Sequence, residues 1–542
     1  RLPLSSVSRS LNNPGHVKSN LATLMATVCV LVKERHEGHK GNLIFPLDQP
    51  IPYDLISKLP TGHKEQHPKV WIDAIKKTIP AALKKAKVKA KDVAGIGVSG
   101  QQHGFVALDA SGAVIRPAKL WCDTSTIAQC EEIINELGGL DRTIALIGNG
   151  IPAGFTASKI LWLKQNEPKN YARLDKIMLP HDYINFWLTG EATMEYGDAS
   201  GTALMDITNR TWSEDVLKVI DPGLEKKLPK LQSSDKPAGK VRAEISKLFG
   251  FGPDVIVSAG GGDNMMGAIG TGNVTPGCVT ASFGTSGTIY AFSEKPIIDP
   301  HGEIAAFCDS TGHWLPLLCT MNVTVATEMV RQSFSLTHEK LATIADKIPP
   351  GSDGLVLIPY LEGERTPNVP EGTGIYFGIN SKTHTPGHFA RAAMEGVTLG
   401  MNYGLNRLRT LGIQPTEIRV TGGGSNSKVW RQIMADIFNC PVVGMETTEG
   451  AAYGGALQAL WCFELMNSKA SCIREICSKF VKTNRKTLAK PKAKNVAVYQ
   501  KMQVFQDRFA KDALTLFKAH GKMLSNLEGK QLPFHDFQET LT

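Results

Sequence analysis

A run of three glycines at positions 260–262 constrains the fold of this chain more than any other feature of its sequence. The preceding residues 254–258 are apolar and β-branched at their centre, which is typical of a short buried strand. Asp263 follows the glycines and opens a stretch of small and apolar residues that can form a helix. A strand that runs through glycines into a helix brings bare backbone close to a ligand and favours a carboxylate at the helix N-terminus. Two roles are open to Asp263, a helix N-cap and a ligand-binding group.

Two further glycine-rich turns follow predicted strands. In the first, Gly284, Thr285 and Ser286 offer backbone N–H groups and hydroxyls that suit a phosphate. In the second, the glycines at 422–424 would let a nucleotide approach the backbone. Neither turn has the Rossmann or the Walker pattern. Three such turns in one α/β chain predict a nucleotide that lies in a cleft between two domains.

The length and charge of the chain limit its class. A chain of 542 residues is long for one core, and the pattern of strands and helices predicts two α/β halves joined near residue 270. The net charge of +9 is mild and its basic residues are scattered, so we expect no nucleic-acid partner and a surface that suits small anionic substrates. The apolar segment 21–32 is too short to span a bilayer, so we expect no membrane association.

The cysteines and the N-terminus bear on the compartment. Ten cysteines occur without a C-x-x-C pair, which favours reduced thiols and a cytoplasmic protein. The chain begins with Arg1, which indicates a processed chain or a fragment, and it has no acidic residue before Glu34. This basic start is weakly typical of an organellar transit peptide.

Hydrophobic periodicity predicts most of the regular elements. Helices are expected at 71–87, 125–137, 158–164, 180–188, 388–408, 428–438 and 451–464. Strands are expected at 93–99, 105–109, 355–359, 417–421 and 441–443. The basic stretch 482–494 is interpreted as a linker or a solvated face, and residues 496–524 are expected to form one closing helix.

Several motifs together make the chain resemble the FGGY family of carbohydrate kinases, and in particular its xylulose-phosphorylating members. They are Gly-Gln-Gln-His-Gly at 100–104, Trp-Cys-Asp at 121–123, Gly-Gly-Gly-Asp-Asn at 260–264, Gly-Thr-Ser-Gly at 284–287, Gly-Glu-Arg-Thr-Pro at 363–367, Gly-Gly-Gly-Ser-Asn-Ser at 422–427 and the glycine- and alanine-rich run at 449–456. The resemblance extends from about residue 65 to about residue 524. It implies an α/β fold of two actin-like (ribonuclease H-like) ATPase domains with a ligand cleft between them. The expected division is an atypical segment 1–60, a sugar-binding domain 61–268 and a nucleotide-binding domain 269–530.

The resemblance also implies a reaction and a set of site residues. The γ-phosphate of ATP would pass to the terminal hydroxyl of D-xylulose with Mg²⁺ as cofactor, in a monomer or a homodimer. A sugar hydroxyl is a poor nucleophile at neutral pH, so a carboxylate should accept its proton. Asp263 would be that general base and a Mg²⁺ ligand. The implied sugar-binding residues are Gln102, His103, Asp263 and Asn264, and the implied ATP-binding residues are Gly284, Thr285, Ser286, Gly423, Gly424 and Asn426.

Two departures from the family pattern leave alternatives open. No Asp-x-Gly-Thr turn, the first phosphate loop of these kinases, precedes Glu65, and Asp48 lacks the Gly-Thr that should follow it. Cys122 stands where the family more often has Asn. The chain could therefore be a kinase for another ketose or polyol, or a catalytically impaired relative that only binds sugar or nucleotide. Loss of the first strand would also expose a sheet edge.

Overall fold

The computed structural model describes residues 59–60, 62–361 and 363–527, together with the backbone of the strands Thr27–Val32 and Asn42–Leu43. The chain divides into two compact units. The first unit comprises Arg1–Val274, Phe307–Trp314 and Glu449–Phe480, and the second comprises Thr275–Ala306, Leu315–Thr448 and Val481–Thr542. Within the described part of the chain, no helix is long and apolar enough to cross a membrane.

The first unit is built around a mixed sheet whose central strand is Val93–Gly100. Ile256–Val257 pairs with it in parallel, and Gly239–Lys240 pairs antiparallel with Ile256–Val257 at the sheet edge. Gly261–Gly262 also runs parallel to the central strand, with Gly262 opposite Gly100. Every residue of the central strand is buried, as expected for a strand covered on both faces.

The remaining elements of this unit are short strands and helices. The other strands are Thr27–Val32, Asn42–Leu43, Glu65–Gln66, Val106–Leu108, Ala118–Lys119, Lys176–Met178, Thr193–Glu195, Met205–Asp206, Thr211–Trp212 and Lys230–Gln232. The helices are Lys69–Ala86, Ile127–Glu136, Leu140–Ile147, Thr156–Asn166, Pro168–Tyr171, Pro180–Thr189, Tyr196–Ala199, Glu214–Ile220, Ala243–Phe249, Asp263–Thr271, Gly450–Met466 and Ile473–Phe480.

The second unit contains a six-stranded sheet. Its strands, in spatial order, are Leu317–Thr320, Gly287–Ala291, Cys278–Phe283, Glu417–Thr421, Val442–Met445 and Thr483–Ala489. Cys278–Phe283, Glu417–Thr421 and Val442–Met445 run parallel to one another, Gly287–Ala291 and Thr483–Ala489 pair antiparallel with this group, and Leu317–Thr320 pairs antiparallel with Gly287–Ala291. The strands Val356–Pro359 and Gly374–Phe377 form a separate hairpin. The helices are Thr324–Ser333, His338–Asp346, Pro386–Thr410, Lys428–Phe438, Ala493–Asp512 and Leu514–Leu527.

Glycines allow two helices of the first unit to approach very closely. The helices Asp263–Thr271 and Gly450–Met466 meet where a Cβ at Gly454 would overlap the carbonyl of Met266, and a Cβ at Gly270 would overlap that of Gly450. Gln458 then donates to the carbonyl of Gly260 and accepts from its N–H, at 3.0 and 2.8 Å. The small-residue helix therefore fixes the glycine run that leads to Asp263.

The structure corrects three sequence-based expectations. Residues 496–524 do not form one closing helix, because Ala493–Asp512 ends and a second helix, Leu514–Leu527, begins. Of the two interpretations of the basic stretch 482–494, the linker is wrong and the solvated face is confirmed: its strand Thr483–Ala489 closes one edge of the second sheet, where Arg485 and Lys486 are exposed. The central strand of the first unit has no open side either, because Thr27–Val32 pairs antiparallel along it.

Other expectations lie close to what is found or outside the described residues. The strand Glu417–Thr421 and the helix Lys428–Phe438 have the predicted bounds, because both are flanked by clear turn residues. Asp48 and most of the segment 1–60 lie outside the described residues, so the missing phosphate loop stays a prediction. Three segments of the predicted 269–530 domain, residues 269–274, Phe307–Trp314 and Glu449–Phe480, lie in the first unit.

Candidate active site

In the first unit, the two polar motifs of the sequence meet at one edge of the sheet. The central strand ends at Gly100 and is followed by Gln102 and His103, and the parallel strand beside it ends at Gly262 and is followed by Asp263 and Asn264. Because neighbouring parallel strands carry their carboxyl ends to the same edge, ligands bind there in many α/β proteins. The structure thus brings all four predicted sugar-binding residues to that edge.

Hydrogen bonds connect three of these residues. Asn264 Nδ2 donates to Gln102 Oε1 at 2.7 Å and lies 3.1 Å from Asp263 Oδ1. The same Asp263 oxygen accepts from the backbone N–H of Asn264 at 2.9 Å. Gln102 is buried, whereas Asp263 and Asn264 are partly buried. The amide of Asn264 therefore holds the carboxylate and the buried glutamine in one polar row.

The surroundings of Asp263 favour a carboxyl that titrates near neutral pH. Its removal from water, and secondly the charge of Asp198, raise the pKa of Asp263 to about 7. Asp263 is the first residue of the helix Asp263–Thr271, and Gly262 before it is the N-cap. The N-cap interpretation of Asp263 is therefore wrong, because its side chain bonds within the first helical turn and leaves the cap position to Gly262.

His103 is held by contacts to its ring and its backbone. Its Nδ1 lies 2.7 Å from the carbonyl oxygen of Gly201, which can only accept, so Nδ1 carries the hydrogen. The ring stacks on Phe155 at 4.3 Å and lies 5.9 Å from Phe307. Its backbone has a φ of 61°, and the fully buried Lys159 donates to its carbonyl at 2.7 Å. His103 is therefore fixed in orientation without a ligand.

Sequence reasoning missed the aromatic and cationic supports of this turn. Phe307 comes from a distant stretch of the chain, and no local motif marks it. Lys159 looks like an ordinary helix lysine, yet burial lowers its pKa to about 7 while its Nζ donates to the carbonyls of His103 and Gly154. The position of Lys159 among apolar residues of the helix Thr156–Asn166 could have indicated that this lysine is buried.

A buried acid–imidazole cluster beneath the site was also missed. His181 Nδ1 lies 2.6 Å from Asp198 Oδ2, and His181 Nε2 lies 2.9 Å from Asp182 Oδ1, though not in hydrogen-bonding geometry. Burial opposes a charged imidazole, but the two carboxylates raise the pKa of His181 well above its ordinary value. Glu195 accepts from the N–H groups of Gly197 and Asp198 at 2.8 and 2.7 Å. These side chains form a buried, mutually coupled group of acids around one imidazole behind the glycine run.

A second polar cluster has a structural explanation. Lys119 is fully buried, and its Nζ lies 3.0 Å from Glu65, 3.3 Å from Asp123 and 3.9 Å from the centre of the Trp162 ring. His63, Glu65 and Asp123 are close enough to one another to suggest a metal site, but the lysine ammonium already supplies their positive partner. Asp123 of the Trp-Cys-Asp motif therefore braces a loop here.

In the second unit, the predicted nucleotide loops lie side by side. Residues 284–286 follow the strand Cys278–Phe283, and the single turn of 3₁₀ helix Gly423–Asn426 follows its parallel neighbour Glu417–Thr421. A Cβ at Gly422 or Gly424 would lie 2.6–2.9 Å from atoms of Phe283, so glycine permits this close approach. Gly423 and Asn426 are exposed, and Gly284, Thr285 and Ser286 are partly so. All six predicted ATP-binding residues thus meet at one edge of this sheet.

The loop that carries the Gly-Glu-Arg-Thr-Pro motif at 363–367 is braced by its own acid. Glu364 accepts from the backbone N–H groups of Met321 and Arg365 at 2.7 and 2.8 Å, and from the Asn322 side chain at 3.1 Å. Burial, only partly offset by these donors, raises the pKa of Glu364 to about 7. Its partners are backbone and amide groups, so it holds this loop without an ion pair to Arg365.

Known proteins resemble this chain over most of its length. The N-terminal domain of the FGGY family of carbohydrate kinases matches residues 39–270, and the C-terminal domain of that family matches residues 279–463. A xylulose kinase of Haemophilus influenzae is 42% identical over 445 residues, which are 81% of this chain and 89% of that protein. A xylulose kinase of Bacillus subtilis is 34% identical over 83% of this chain and 88% of that protein.

A solved structure agrees with these relatives. The crystal structure of a xylulose kinase from Brucella ovis matches with a TM-score of 0.80 and 29% identity, over 91% of this chain and 100% of that chain. The family implies ATP as the phosphate donor. This chain therefore belongs to the FGGY family of carbohydrate kinases, which are phosphotransferases with an alcohol group as acceptor and a fold of two actin-like domains.

Proposed function

We propose that this protein transfers the γ-phosphate of ATP to D-xylulose, forming D-xylulose 5-phosphate, with Asp263 as the general base. The observation that carries the proposal is the polar row in which Asn264 joins the Asp263 carboxylate to the buried Gln102. The names of the relatives support xylulose as the sugar. Gln102, His103 and Asn264 offer amide and imidazole groups that suit sugar hydroxyls.

Asp263 has the properties that proton abstraction requires. A general base works best when its pKa lies near the working pH, and the raised pKa of this carboxyl meets that condition. As the sugar oxygen attacks phosphorus, its proton would pass to the carboxylate of Asp263. The hydrogen bonds from Asn264 leave Asp263 Oδ2 as the oxygen available for this proton.

The residues present also fit a magnesium ion. Mg²⁺ in kinases is bound through one or two carboxylates and keeps several waters, and a partly exposed Asp263 meets that requirement. Asp263 would contribute one carboxylate oxygen. When bound, Mg²⁺ supplies charge neutralisation for the transferring phosphoryl group.

The two loops of the second unit are proposed as the ATP site. Backbone N–H groups and hydroxyls of Gly284, Thr285 and Ser286 would bind phosphate oxygens, which is most of what phosphoryl transfer asks of a protein. Gly423, Gly424 and Asn426 would contact the adenosine, because Gly423 and Asn426 are exposed and the glycines let a ligand approach the backbone closely.

A coupled ADP-release assay over a panel of ketoses and polyols tests the proposal. Turnover with D-xylulose well above that with other sugars is the expected result. Preferred turnover of another ketose or polyol would instead favour a kinase with a different acceptor, since pockets change readily on a shared fold. No turnover with any sugar, together with sugar or nucleotide binding by calorimetry, would favour a catalytically impaired relative.

One observation favours that last alternative. The strand Thr27–Val32 runs antiparallel to the central strand, with Thr27 opposite Ser99 and Val32 opposite Val93. The chain therefore leaves Val32 at the end of the sheet opposite the sugar-binding residues. A phosphate loop directly after this strand would begin at the end of the sheet away from these residues.

A further inference from the structure

The packing around Gly262 is tighter than its backbone conformation explains. Its φ of −61° and ψ of 152° are open to any residue, so glycine is not required for conformation. A Cβ there would lie 2.6 Å from Gln102 Cγ and 3.1 Å from Asp198 Oδ1. Gln102 and Asp198 thus both pack against the backbone of Gly262, at distances that a side chain there would not allow.

Both flanking side chains present a buried polar atom without a protein partner among the described residues. Gln102 is 5% exposed, and its Oε1 accepts from Asn264 while its Nε2 has no partner there. Asp198 is 0% exposed, and its Oδ2 is bound by His181 while its Oδ1 has none. Buried polar atoms are almost always hydrogen-bonded, to water or ligand if not to protein. The two atoms are complementary, because the amide nitrogen donates and a carboxylate oxygen accepts.

A third buried polar atom lies beside the preceding glycine, Gly261. Ser310 Oγ is fully buried and is also without a partner in the described part of the chain. It lies 2.9 Å from the position of a Cβ on Gly261. One hydroxyl group can satisfy both Gln102 Nε2 and Asp198 Oδ1, because it accepts from the amide and donates to the carboxylate.

We propose that Gln102 Nε2 and Asp198 Oδ1 together bind one hydroxyl group beside Gly262. The group accepts a hydrogen bond from Gln102 and donates one to Asp198. It belongs either to the sugar or to a buried water, and the sugar source rests on the proposed function. His181 holds the carboxylate of Asp198 in place through its other oxygen. Asp198 is thus a further binding residue that no linear motif of the sequence indicates.

Asp198→Asn tests the acceptor with little change of shape. The asparagine oxygen keeps the bond from His181 Nδ1 and turns its NH₂ toward Gly262, so the hydroxyl group meets two donors and no acceptor. Asp198→Asn combined with Gln102→Glu restores one donor and one acceptor. Asp182→Asn is the matched control. Asp182 is the other carboxylate that contacts His181, and its side chain does not adjoin Gly262. Circular dichroism establishes that each variant is folded.

Calorimetric titration with D-xylulose and with ketoses that each lack one hydroxyl identifies a sugar source. If a sugar hydroxyl is bound, Asp198→Asn weakens xylulose binding by about 10- to 100-fold, as expected for a lost hydrogen bond to a charged group. The sugar lacking that hydroxyl then binds the variant and the parent equally well. The double variant regains most of the affinity, and Asp182→Asn keeps the parent's selectivity among the sugars.

A high-resolution crystal structure of the unliganded protein identifies a water source. An ordered water within hydrogen-bond distance of both Gln102 Nε2 and Asp198 Oδ1, absent in Asp198→Asn, supports the proposal. The proposal is overturned if no such water is present and no sugar discriminates Asp198→Asn from the parent. Absence of any sugar binding by the parent would count against the proposed function alone, because the crystal structure still decides the hydroxyl site.

Discussion

Asp263 joins three properties that a catalytic carboxylate needs: a raised pKa, an amide that fixes one oxygen, and partial access to solvent. Its neighbour Asp198 contributes to the first of these, so the base and the buried cluster behind it are electrostatically linked. A substitution of Asp263 therefore tests the proposed chemistry most directly.

Asp263→Asn should abolish phosphoryl transfer while sugar binding largely survives. General-base assistance is typically worth about 10²- to 10⁴-fold, and asparagine cannot accept the proton. The measurement is steady-state turnover with xylulose and calorimetry of sugar binding, on an active parent. Retention of more than about a tenth of the parent rate would show that Asp263 is not the base.

The activity should also depend on pH through this carboxyl. Asp263 must be ionised to act as base, and its pKa is raised to about 7, so the rate should fall as the pH drops below about 7. The pH profile of kcat/KM for xylulose reports this group in the free enzyme. A profile that stays flat from pH 8 down to about pH 5, where a carboxyl with this pKa would be almost fully protonated, contradicts the assignment.

His103→Ala should weaken sugar binding and leave ATP binding nearly unchanged. The imidazole is fixed by Gly201 and Phe155, so its loss removes an oriented group at a cost of about 0.5–1.5 kcal/mol per hydrogen bond. Calorimetric titration with each ligand measures the two affinities separately. His384→Ala is a control at an exposed histidine, and equal weakening of both ligands in His103→Ala would indicate a folding defect instead.

At the scale of elements, two glycine-rich segments determine where the site lies. The helix Gly450–Met466 contacts both the helix Asp263–Thr271 and the central strand Val93–Gly100. A Cβ at Gly97 would overlap the carbonyl of Gly455, so glycine is needed on the strand as well as on the helix. Close packing of backbone on backbone holds Asp263 at the end of the sheet.

Gly454→Ala should therefore destabilise the protein. The new Cβ would overlap the carbonyl of Met266, and overpacking of this kind typically costs about 1–3 kcal/mol. Denaturant unfolding measures the change in the free energy of unfolding. Gly455→Ala is the matched control, since the nearest atom of another element to its Cβ would be the carbonyl carbon of Gly97, at 3.5 Å. Equal destabilisation by the two variants would refute the packing argument.

At the scale of the whole molecule, the N-terminal region limits the catalytic power that we expect. No Asp-x-Gly-Thr turn precedes Glu65, and Thr27–Val32 has the wrong direction to present one beside Gly100. Transfer of a phosphoryl group relies on positioning and electrostatic stabilisation. A missing donor loop should therefore lower mainly the turnover rate.

The chain as given should accordingly be a poor kinase that still binds sugar. Loss of one well-placed donor typically costs about 10²- to 10³-fold in rate, and loss of a loop should cost at least as much. The comparison is between this chain and a graft whose first residues are a strand and an Asp-Gly-Thr turn from a related kinase. Equal turnover of xylulose by both would mean that residues before Glu65 already supply the function.

The sequence by itself determined the features that local chemistry controls. Gly-Gly-Gly-Asp-Asn and Gly-Gln-Gln-His-Gly each place polar residues directly after a strand, so the edge of the sheet at which they lie follows from the chain order. The helix Lys428–Phe438 was predictable to the residue because Ser427 caps it and Asn439 ends it in the left-handed conformation.

Tertiary structure alone decided what depends on contacts between distant segments. Phe307 against His103, Lys159 on the carbonyl of His103, and Asp198 beside Gly262 join residues that are about 50 to 200 positions apart. The direction of Thr27–Val32 could not be predicted from the sequence either, because an apolar strand can pair parallel or antiparallel. Burial then set the charge state of Asp263 and Lys159, since removal from water is a property of the packed fold and of no single residue.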